Sequence, residues 1–214
     1  MTQYNIIAES QEYTVVSEYD HVATPAESYQ SETDLEKEFI RLLQEQGYDY
    51  LPIHTEADLI SNLRAQLEKL NHYSFSDSEW ERFFNECIAN KNDDIVAKTQ
   101  KIQDDYIQVL RRDTGESQNI KLIDKDNIHN NSLQVINQYV EEGGNFDTRY
   151  DVSILVNGLP LVHIELKRRG VQLKEAFNQI NRYQRDSFWA GCGLYEYVQK
   201  PRSLHTQKRK TGRS

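Results

Sequence analysis

Two carboxylates and one ammonium group lie close together in the second half of the chain and could together cleave a phosphodiester. Asp151 precedes an apolar stretch that ends at Asn157-Gly158, and Glu165 and Lys167 follow that turn. A hard ion such as Mg²⁺ is usually held by one or two carboxylates, waters and a substrate phosphate, and a lysine beside it can orient the attacking water. The residue types therefore predict metal-dependent hydrolysis, and the alternative is a hairpin edge with ordinary surface charges.

The register of the predicted hairpin decides between these interpretations. Side chains alternate along a strand, so Glu165 and Lys167 share one face. A strict two-residue turn at Asn157-Gly158 would place Asp151 across from Ile164, on the wrong face for sharing an ion with Glu165. A three-residue loop or a β-bulge would shift the pairing by one residue and bring Asp151 opposite Glu165. We predict that shift. His163 shares the face of Glu165, and no role is assigned to it.

The sequence around these charges resembles the nuclease motif of a known family. The matching stretches are Arg149-Tyr-Asp-Val-Ser-Ile-Leu-Val-Asn-Gly-Leu-Pro-Leu-Val-His-Ile-Glu-Leu-Lys-Arg-Arg-Gly170, Ser31-Glu-Thr-Asp-Leu-Glu36, Gln46-Gly-Tyr48, Glu175-Ala-Phe-Asn-Gln-Ile-Asn-Arg-Tyr183 and, more loosely, Asp77-Ser-Glu-Trp80. They resemble the restriction (R) subunit of type I restriction-modification enzymes over most of residues 5 to 199. The resemblance implies an α/β fold with a mixed sheet, namely a PD-(D/E)xK restriction-endonuclease-like core to which a helical layer is added.

The same resemblance implies roles for the charged residues. Asp151 and Glu165 would bind Mg²⁺, and Lys167 would assist the water that hydrolyses the phosphodiester of DNA. Tyr150 stands where the name of the superfamily has proline, a departure that concerns local geometry and not the chemistry. The implied activity is that of a type I site-specific deoxyribonuclease, carried by its endonuclease domain, and the isolated chain need not be active.

A Q-x-x-x-Y element follows the core strands in this family, and Gln179 and Tyr183 match it here. Four residues apart on a predicted helix over 172–185, the two side chains share a face and could both lean toward the substrate. The alternative is that they are the polar flank of an amphipathic helix. The resemblance favours a role in positioning DNA.

Glu36 is a further candidate metal ligand. Related nucleases place a glutamate on the first helix near the metal, and Glu36 has the matching offset from Gly47-Tyr48. The alternative is a capping box, in which Glu36 reaches back to the backbone N–H of Thr33 at the start of the helix. Both roles suit the sequence.

Length and composition indicate one soluble domain in the cytoplasm. A chain of 214 residues can bury roughly 70 per cent of its unfolded surface, so it needs no disulfide or structural metal to fold. Cys87 and Cys192 are isolated, which argues against a disulfide scaffold or a zinc site. No secretory signal and no apolar run of about 18 residues is present, so no membrane attachment is expected.

Charge is unevenly distributed along the chain. The stretch Lys200–Ser214 contains six basic residues and no acid, which leaves 19 Lys and Arg against 34 Asp and Glu, a balance of −15, for residues 1–199. An acidic body should bind duplex DNA weakly, because affinity comes mainly from phosphate neutralisation by Lys and Arg. We expect residues 200–214 to be a disordered tail or a truncation end, with a basic arm that grips nucleic acid as the alternative.

The resemblance implies that other parts of a larger enzyme deliver the DNA. In that family a separate specificity subunit recognises the sequence, a methyltransferase subunit is a further partner, and an ATP-driven motor domain that delivers the DNA follows the nuclease in the same polypeptide. This chain contains no G-x-x-x-x-G-K-[ST] phosphate loop, so ATP would be used by the full-length family subunit and not here. Two other functions stay open: a non-catalytic docking module for the motor and methyltransferase subunits, and a related resolvase or repair nuclease.

The chain divides into an N-terminal arm at residues 1–30, an endonuclease domain at 31–199 and the basic tail at 200–214. Hydrophobic periodicity predicts helices at 33–46, 56–70, 77–90 and 92–102, and strands at 48–53, 106–110, 120–123 and 133–139. The aromatic cluster of Trp80, Phe83 and Phe84 is interpreted as core packing and not as a platform for stacking on bases.

Overall fold

A computed structural model describes residues 4–9, 15–19, 31–141, 148–167, 178, 193–198 and 200–205. The strands are β1 (Tyr4–Glu9), β2 (Val15–Tyr19), β3 (Asp49–Tyr50), β4 (Ile107–Arg111), β5 (Ser117–Lys121), β6 (Leu133–Glu141), β7 (Thr148–Val156), β8 (Leu159–Lys167) and β9 (Lys200–His205). The helices are α1 (Glu32–Glu45), α2 (Glu56–Asn71), α3 (Asp77–Phe83) and α4 (Ile95–Gln103). A π-helical turn, Phe84–Ile88, extends α3, and a 3₁₀ turn, Leu194–Tyr197, precedes β9.

The described strands form one mixed sheet and one separate hairpin. The large sheet has the order β1-β2-β9-β8-β7-β6-β3, and β4 and β5 pair with each other. The neighbours β2/β9, β9/β8 and β6/β3 run parallel, and the other pairs run antiparallel. The predicted mixed sheet of an α/β fold is confirmed.

Helices cover both faces of this sheet, and each face has its own apolar core. On one face α1 packs Ile40 and Leu43 against the sheet residues Val135, Val152, Ile164 and Leu166. On the other face α2, α3 and α4 form a layer with the β4–β5 hairpin, and Leu59, Leu63 and Leu67 of α2 are completely buried there. Trp80 and Phe83 lie in this second core, so the interpretation of the aromatic cluster as packing is confirmed.

Helix α1 begins with a capping box, but its residues are not the predicted ones. Ser31 caps the helix: its hydroxyl accepts from the N–H of Asp34, and its own N–H donates to the Asp34 carboxylate. The prediction of Thr33 and Glu36 was wrong because Ser31 and Asp34 have the same spacing two residues earlier. Glu36 therefore lies in the second turn of α1, on the buried face of the helix.

The expectation of disorder from Lys200 onward was wrong for Lys200–His205. These residues form β9, which pairs with β8 on one side and β2 on the other. Pairing with two neighbours satisfies backbone groups that a free polar segment would leave to water. The rest of the predicted tail, residues 206–214, lies outside the described residues, as do Cys192 and all but one residue of the predicted helix 172–185. Within the described chain no helix combines the length and the apolar character that crossing a membrane requires.

Candidate active site

The hairpin of β7 and β8 contains the predicted shift in register. It begins with a strict two-residue turn, since Val156 pairs with Leu159. Further along, Ile154 pairs with Val162, so Leu161 is an extra residue in β8 and forms a β-bulge. The bulge, and not a longer loop, supplies the shift.

The turn itself is fixed against the helical layer. Asn157 and Gly158 have φ values of 51° and 83°, the positive values that a tight hairpin turn of this kind requires. A Cβ atom on Gly158 would lie 2.6 Å from the Cα atom of Leu63 in α2, so only glycine allows this contact. The end of the hairpin that lies away from the charges is therefore rigidly placed.

At the other end of the hairpin the described pairing of β7 and β8 stops, and Asp151 is the first residue of β7 beyond the last pair. The last described pair between β7 and β8 is Val152 with Ile164, and continuing this register places Asp151 opposite Glu165. The Asp151 carboxylate accepts a hydrogen bond of 2.9 Å from the backbone N–H of Leu166. A side chain of β7 is thus tied to the backbone of β8 at the residue that follows Glu165.

Glu165 is completely buried, and its two carboxylate oxygens have different neighbours. Oε1 accepts a hydrogen bond of 2.6 Å from Nζ of Lys167. Oε2 makes no hydrogen bond with the described residues, and it lies 3.5 Å from Nε2 of His163. A buried carboxylate oxygen without a hydrogen bond is costly, and coordination of a cation would offset that cost.

The site contains two carboxylates and one ammonium group, and the pKa of each of these groups is shifted. Burial and the negative charge of Glu165 raise the pKa of Asp151 to about 7. Burial would also raise the pKa of Glu165, but interactions with His163 and Lys167 outweigh it and lower that pKa. Burial opposes the charge of Lys167, yet Glu165 and Asp151 raise its pKa, so the ammonium stays protonated. One lysine therefore balances only one of the two carboxylates.

The donor set suits a hard, oxygen-preferring divalent ion. Among the residues that the structure describes, no group of three or more His, Cys, Asp or Glu side chains could hold a metal. Mg²⁺ does not need such a cage, because it usually binds one or two carboxylates and takes its other ligands from water and substrate phosphate. Asp151 and Glu165 fit that pattern.

Glu36 of α1 contacts β6, the strand next to β7 in the sheet. Its contribution to a metal site stays a prediction. Its buried carboxylate accepts hydrogen bonds from the side-chain amides of Asn137, at 2.5 Å, and Gln138. Neighbouring side chains normally point to opposite faces of a strand. Gln138 has a φ of 52°, and this local departure from strand geometry accompanies the contact of both Asn137 and Gln138 with one carboxylate. The register of β6 and β7 sets Gln138 opposite Asp151.

The other two predicted site residues, Gln179 and Tyr183, lie outside the described residues. Their predicted role in positioning DNA stays a prediction.

Sequence reasoning assigned no role to a group of side chains beneath Glu165. His163 is completely buried, and its ring makes a T-shaped contact with the Tyr150 ring at 4.9 Å between centroids. Tyr195 stacks on Tyr150 at 4.2 Å, and its hydroxyl is hydrogen-bonded to that of Ser153. The i, i+2 spacing of His163 and Glu165 was the available signal, whereas the contact with Tyr195 joins distant parts of the chain.

The chain is similar to known proteins over most of its length. The family described as "Type I restriction enzyme R protein N terminus" matches residues 29–206. The type I restriction enzyme EcoprrI endonuclease subunit of Escherichia coli is 47% identical over 194 residues, which are 90% of this chain and 62% of that protein.

More distant relatives carry names of the same kind. The type I restriction enzyme SsaAORF53P endonuclease subunit of Staphylococcus saprophyticus is 37% identical over 176 residues, 80% of this chain and 18% of that protein. The type I restriction enzyme HindI endonuclease subunit of Haemophilus influenzae is 29% identical over 177 residues, 72% of this chain and 17% of that protein. The chain thus spans 62% of the first relative and less than a fifth of the other two.

Proposed function

Because this chain belongs to the family of type I restriction enzyme R protein N-terminal regions, we propose that it is a Mg²⁺-dependent DNA endonuclease domain. It would hydrolyse phosphodiester bonds without a covalent intermediate. The observation that carries the proposal is the β-bulge at Leu161, because continuing the register beyond the pair of Val152 with Ile164 sets Asp151 opposite Glu165. Without that shift the two carboxylates would lie on opposite faces of the sheet.

Asp151 and Glu165 would hold the ion, with Glu36 as a further candidate oxygen donor. When bound, Mg²⁺ lowers the pKa of the attacking water and neutralises charge that builds on the scissile phosphate. The raised pKa of Asp151 supports this assignment, since a nearby cation favours the ionised carboxylate that burial and Glu165 disfavour.

Lys167 would orient the attacking water. Its hydrogen bond to Glu165 holds the ammonium beside the carboxylate pair, and its raised pKa keeps it protonated. A protonated lysine donates hydrogen bonds and does not accept a proton, so its role is to position the water and to stabilise charge. The side chain is only 15% exposed, so little water screens the positive charge of its ammonium group.

Substrate delivery would come from outside this chain. Gln179 and Tyr183 would contact DNA near the scissile phosphate, but residues 1–199 carry a balance of −15 and offer little attraction to a duplex. We therefore assign recognition to the specificity subunit of a type I complex, with the methyltransferase subunit as a further partner, and delivery to an ATP-driven motor domain in the full-length polypeptide. ATP would act there and not at the site described here.

Alanine replacement of Asp151 in the complete enzyme tests the proposal. Asp151→Ala should abolish DNA cleavage and leave ATP hydrolysis intact, because the variant lacks one of two metal-binding carboxylates and keeps its fold. The matched control is Asp126→Ala, which removes an exposed carboxylate that pairs with Lys121 outside the site. Full nicking by Asp151→Ala would refute the assignment.

Crystals soaked in Mn²⁺ supply a second test that does not depend on activity. Anomalous density between Asp151 and Glu165 is the expected result. If that position stays empty at high Mn²⁺ concentration, the carboxylates are residual and the chain is better explained as a docking module for the motor and methyltransferase subunits.

A further inference from the structure

We infer that His163 orients the Glu165 carboxylate for metal binding, an assignment that rests on the proposed function of the Asp151 and Glu165 site. His163 would not touch the ion or the DNA. It is a positioning residue that acts through Glu165.

The imidazole lies beside the carboxylate oxygen that Lys167 does not use. His163 is two residues before Glu165 on β8, so their side chains project from the same face of the strand. Its Nε2 atom is 3.5 Å from Oε2 of Glu165, whereas Nζ of Lys167 donates to Oε1 at 2.6 Å. The two neighbours therefore flank different oxygens of one carboxylate.

The protein holds the imidazole ring firmly in this place. The Tyr150 ring and the imidazole make a T-shaped contact with an interplanar angle of 69°, and Tyr195 stacks on Tyr150. Ser153, which pairs with His163 across the strands, shares a hydrogen bond of 3.0 Å with the Tyr195 hydroxyl. His163 itself is completely buried. A ring enclosed in this way has little freedom to turn away from Glu165.

A fixed neighbour at Oε2 matters because the terminal torsion of glutamate is broad. Lys167 alone would hold the carboxylate through one oxygen on a flexible side chain, and rotation could then exchange the two oxygens. The imidazole limits that rotation, so Oε1 stays on Lys167 and Oε2 keeps a constant direction toward an incoming ion. Partners that orient metal-binding side chains typically change metal affinity about 10- to 100-fold when they are lost.

The test measures Mn²⁺ affinity of the 214-residue chain without DNA, by electron paramagnetic resonance of the unbound ion. His163→Leu should weaken Mn²⁺ binding by about 10- to 100-fold, because the polar neighbour of Oε2 is gone. His163→Gln should restore affinity to within about threefold of the unsubstituted chain, because its amide also offers an N–H donor at similar reach.

A stability control separates positioning from general damage. Leu67→Ala in α2 empties part of the core under the helical layer, removes no charged or polar group of the site, and should lower the melting temperature without changing Mn²⁺ affinity. The inference is overturned if His163→Leu binds Mn²⁺ as the unsubstituted chain does. It is also overturned if His163→Gln fails to restore binding, or if the loss of affinity in all three variants follows their melting temperatures.

Asp151→Ala separates failure of this inference from failure of the proposed site. If Asp151→Ala loses Mn²⁺ binding and His163→Leu does not, the metal site stands and only the role of His163 is overturned. If Asp151→Ala and the unsubstituted chain bind Mn²⁺ equally, the proposed site fails, and the inference fails with it.

Discussion

Two buried lysine–glutamate pairs in this protein look alike and have different surroundings. Lys98 of α4 pairs with Glu196 of the 3₁₀ turn, and their side chains are 2% and 9% exposed. Lys167 pairs with Glu165 at the open end of the β7–β8 hairpin, and their side chains are 15% and 0% exposed. Burial and charge alone would not tell which pair is structural.

The two pairs differ in the other charged and polar groups that lie beside them. Nζ of Lys98 also donates to the carbonyl oxygen of Gly193 and lies 5.6 Å from the centre of the Tyr197 ring, so its charge is fully accommodated. Beside Lys167 lies a second carboxylate, Asp151, which adds negative charge that this one ammonium does not balance as pH rises through the Asp151 pKa of about 7. Ion pairs shift the pKa values of buried groups in structural networks as well as in active sites. The excess charge, and not the ion pair, marks the candidate site.

The same substitution in both lysines tests this contrast, and the largest effect is expected at Lys167. In the complete enzyme, Lys167→Met should reduce DNA cleavage by about 10²- to 10³-fold, the range typical of losing one fixed hydrogen-bond donor that stabilises developing charge. Rates of nicking per folded molecule provide the measurement. Cleavage within about twofold of the unsubstituted enzyme would remove Lys167 from the mechanism.

Lys98→Met should act on stability instead. Loss of the lysine leaves Glu196 buried and without its cation, which costs about 3–5 kcal/mol of unfolding free energy. Denaturant unfolding measures this loss, and the double variant Lys98→Met/Glu196→Met should recover most of it because no buried charge remains. A double variant as unstable as the single one would show that the ion pair is not the source of the loss.

Divalent cations should distinguish the two variants further. A ligand that binds only the folded state raises its stability. Mg²⁺ should therefore raise the melting temperature of both variants, since both keep Asp151 and Glu165, and the rise should be larger for Lys167→Met, in which no ammonium competes with the ion for Glu165. Equal rises in the two variants would show that Lys167 does not compete with the ion.

The burial of Asp151 and the negative charge of Glu165 predict a pH-dependent stability in EDTA. The pKa of Asp151 rises on folding from 3.8 to about 7, so its ionised form opposes folding and stability is lost as pH rises through that interval. Asp151→Asn stays neutral and can still accept from Leu166. It should be more stable than the unsubstituted chain by on the order of 2–4 kcal/mol at pH 8, with no difference below about pH 4. A stability difference that is constant over this pH range would contradict the shifted pKa.

Local sequence patterns were sufficient for much of this molecule. Helical periodicity predicted the start of α2 and placed its end within one residue of the observed end. The Asn157-Gly158 turn signal predicted the hairpin. The shift in register followed from chemistry, since only a bulge or a longer loop could bring Asp151 opposite Glu165. Glu165 and Lys167 are two residues apart on one strand, so their side chains must project from the same face. This constraint made the core of the candidate site predictable.

Long-range pairing was beyond the same reasoning. Lys98 and Glu196 are separated by 98 residues, and neither lies in a pattern that indicates its partner. Strand β9 contains Pro201 and basic residues that argue against an interior strand, yet pairing with β8 and β2 overrides that preference. Glu36 had two local interpretations, and the structure adds a third set of contacts, with Asn137 and Gln138 of β6.

The smallest predicted effect concerns the backbone beneath the structural pair. Gly193 has a φ of 68°, and a Cβ atom there would lie 2.8 Å from Nζ of Lys98 and 3.1 Å from Oε2 of Glu196. Gly193→Ala should therefore cost about 1–2 kcal/mol for the left-handed conformation and about 1 kcal/mol more for crowding the ion pair. Gly47→Ala is the matched control, because Gly47 has a φ of 90° and no atom within 4 Å of the added Cβ. Equal losses in the two variants would show that the Lys98 pair tolerates displacement, whereas a greater loss at Gly193 with unchanged Mn²⁺ affinity would confirm that this pair is rigid and separate from the metal site.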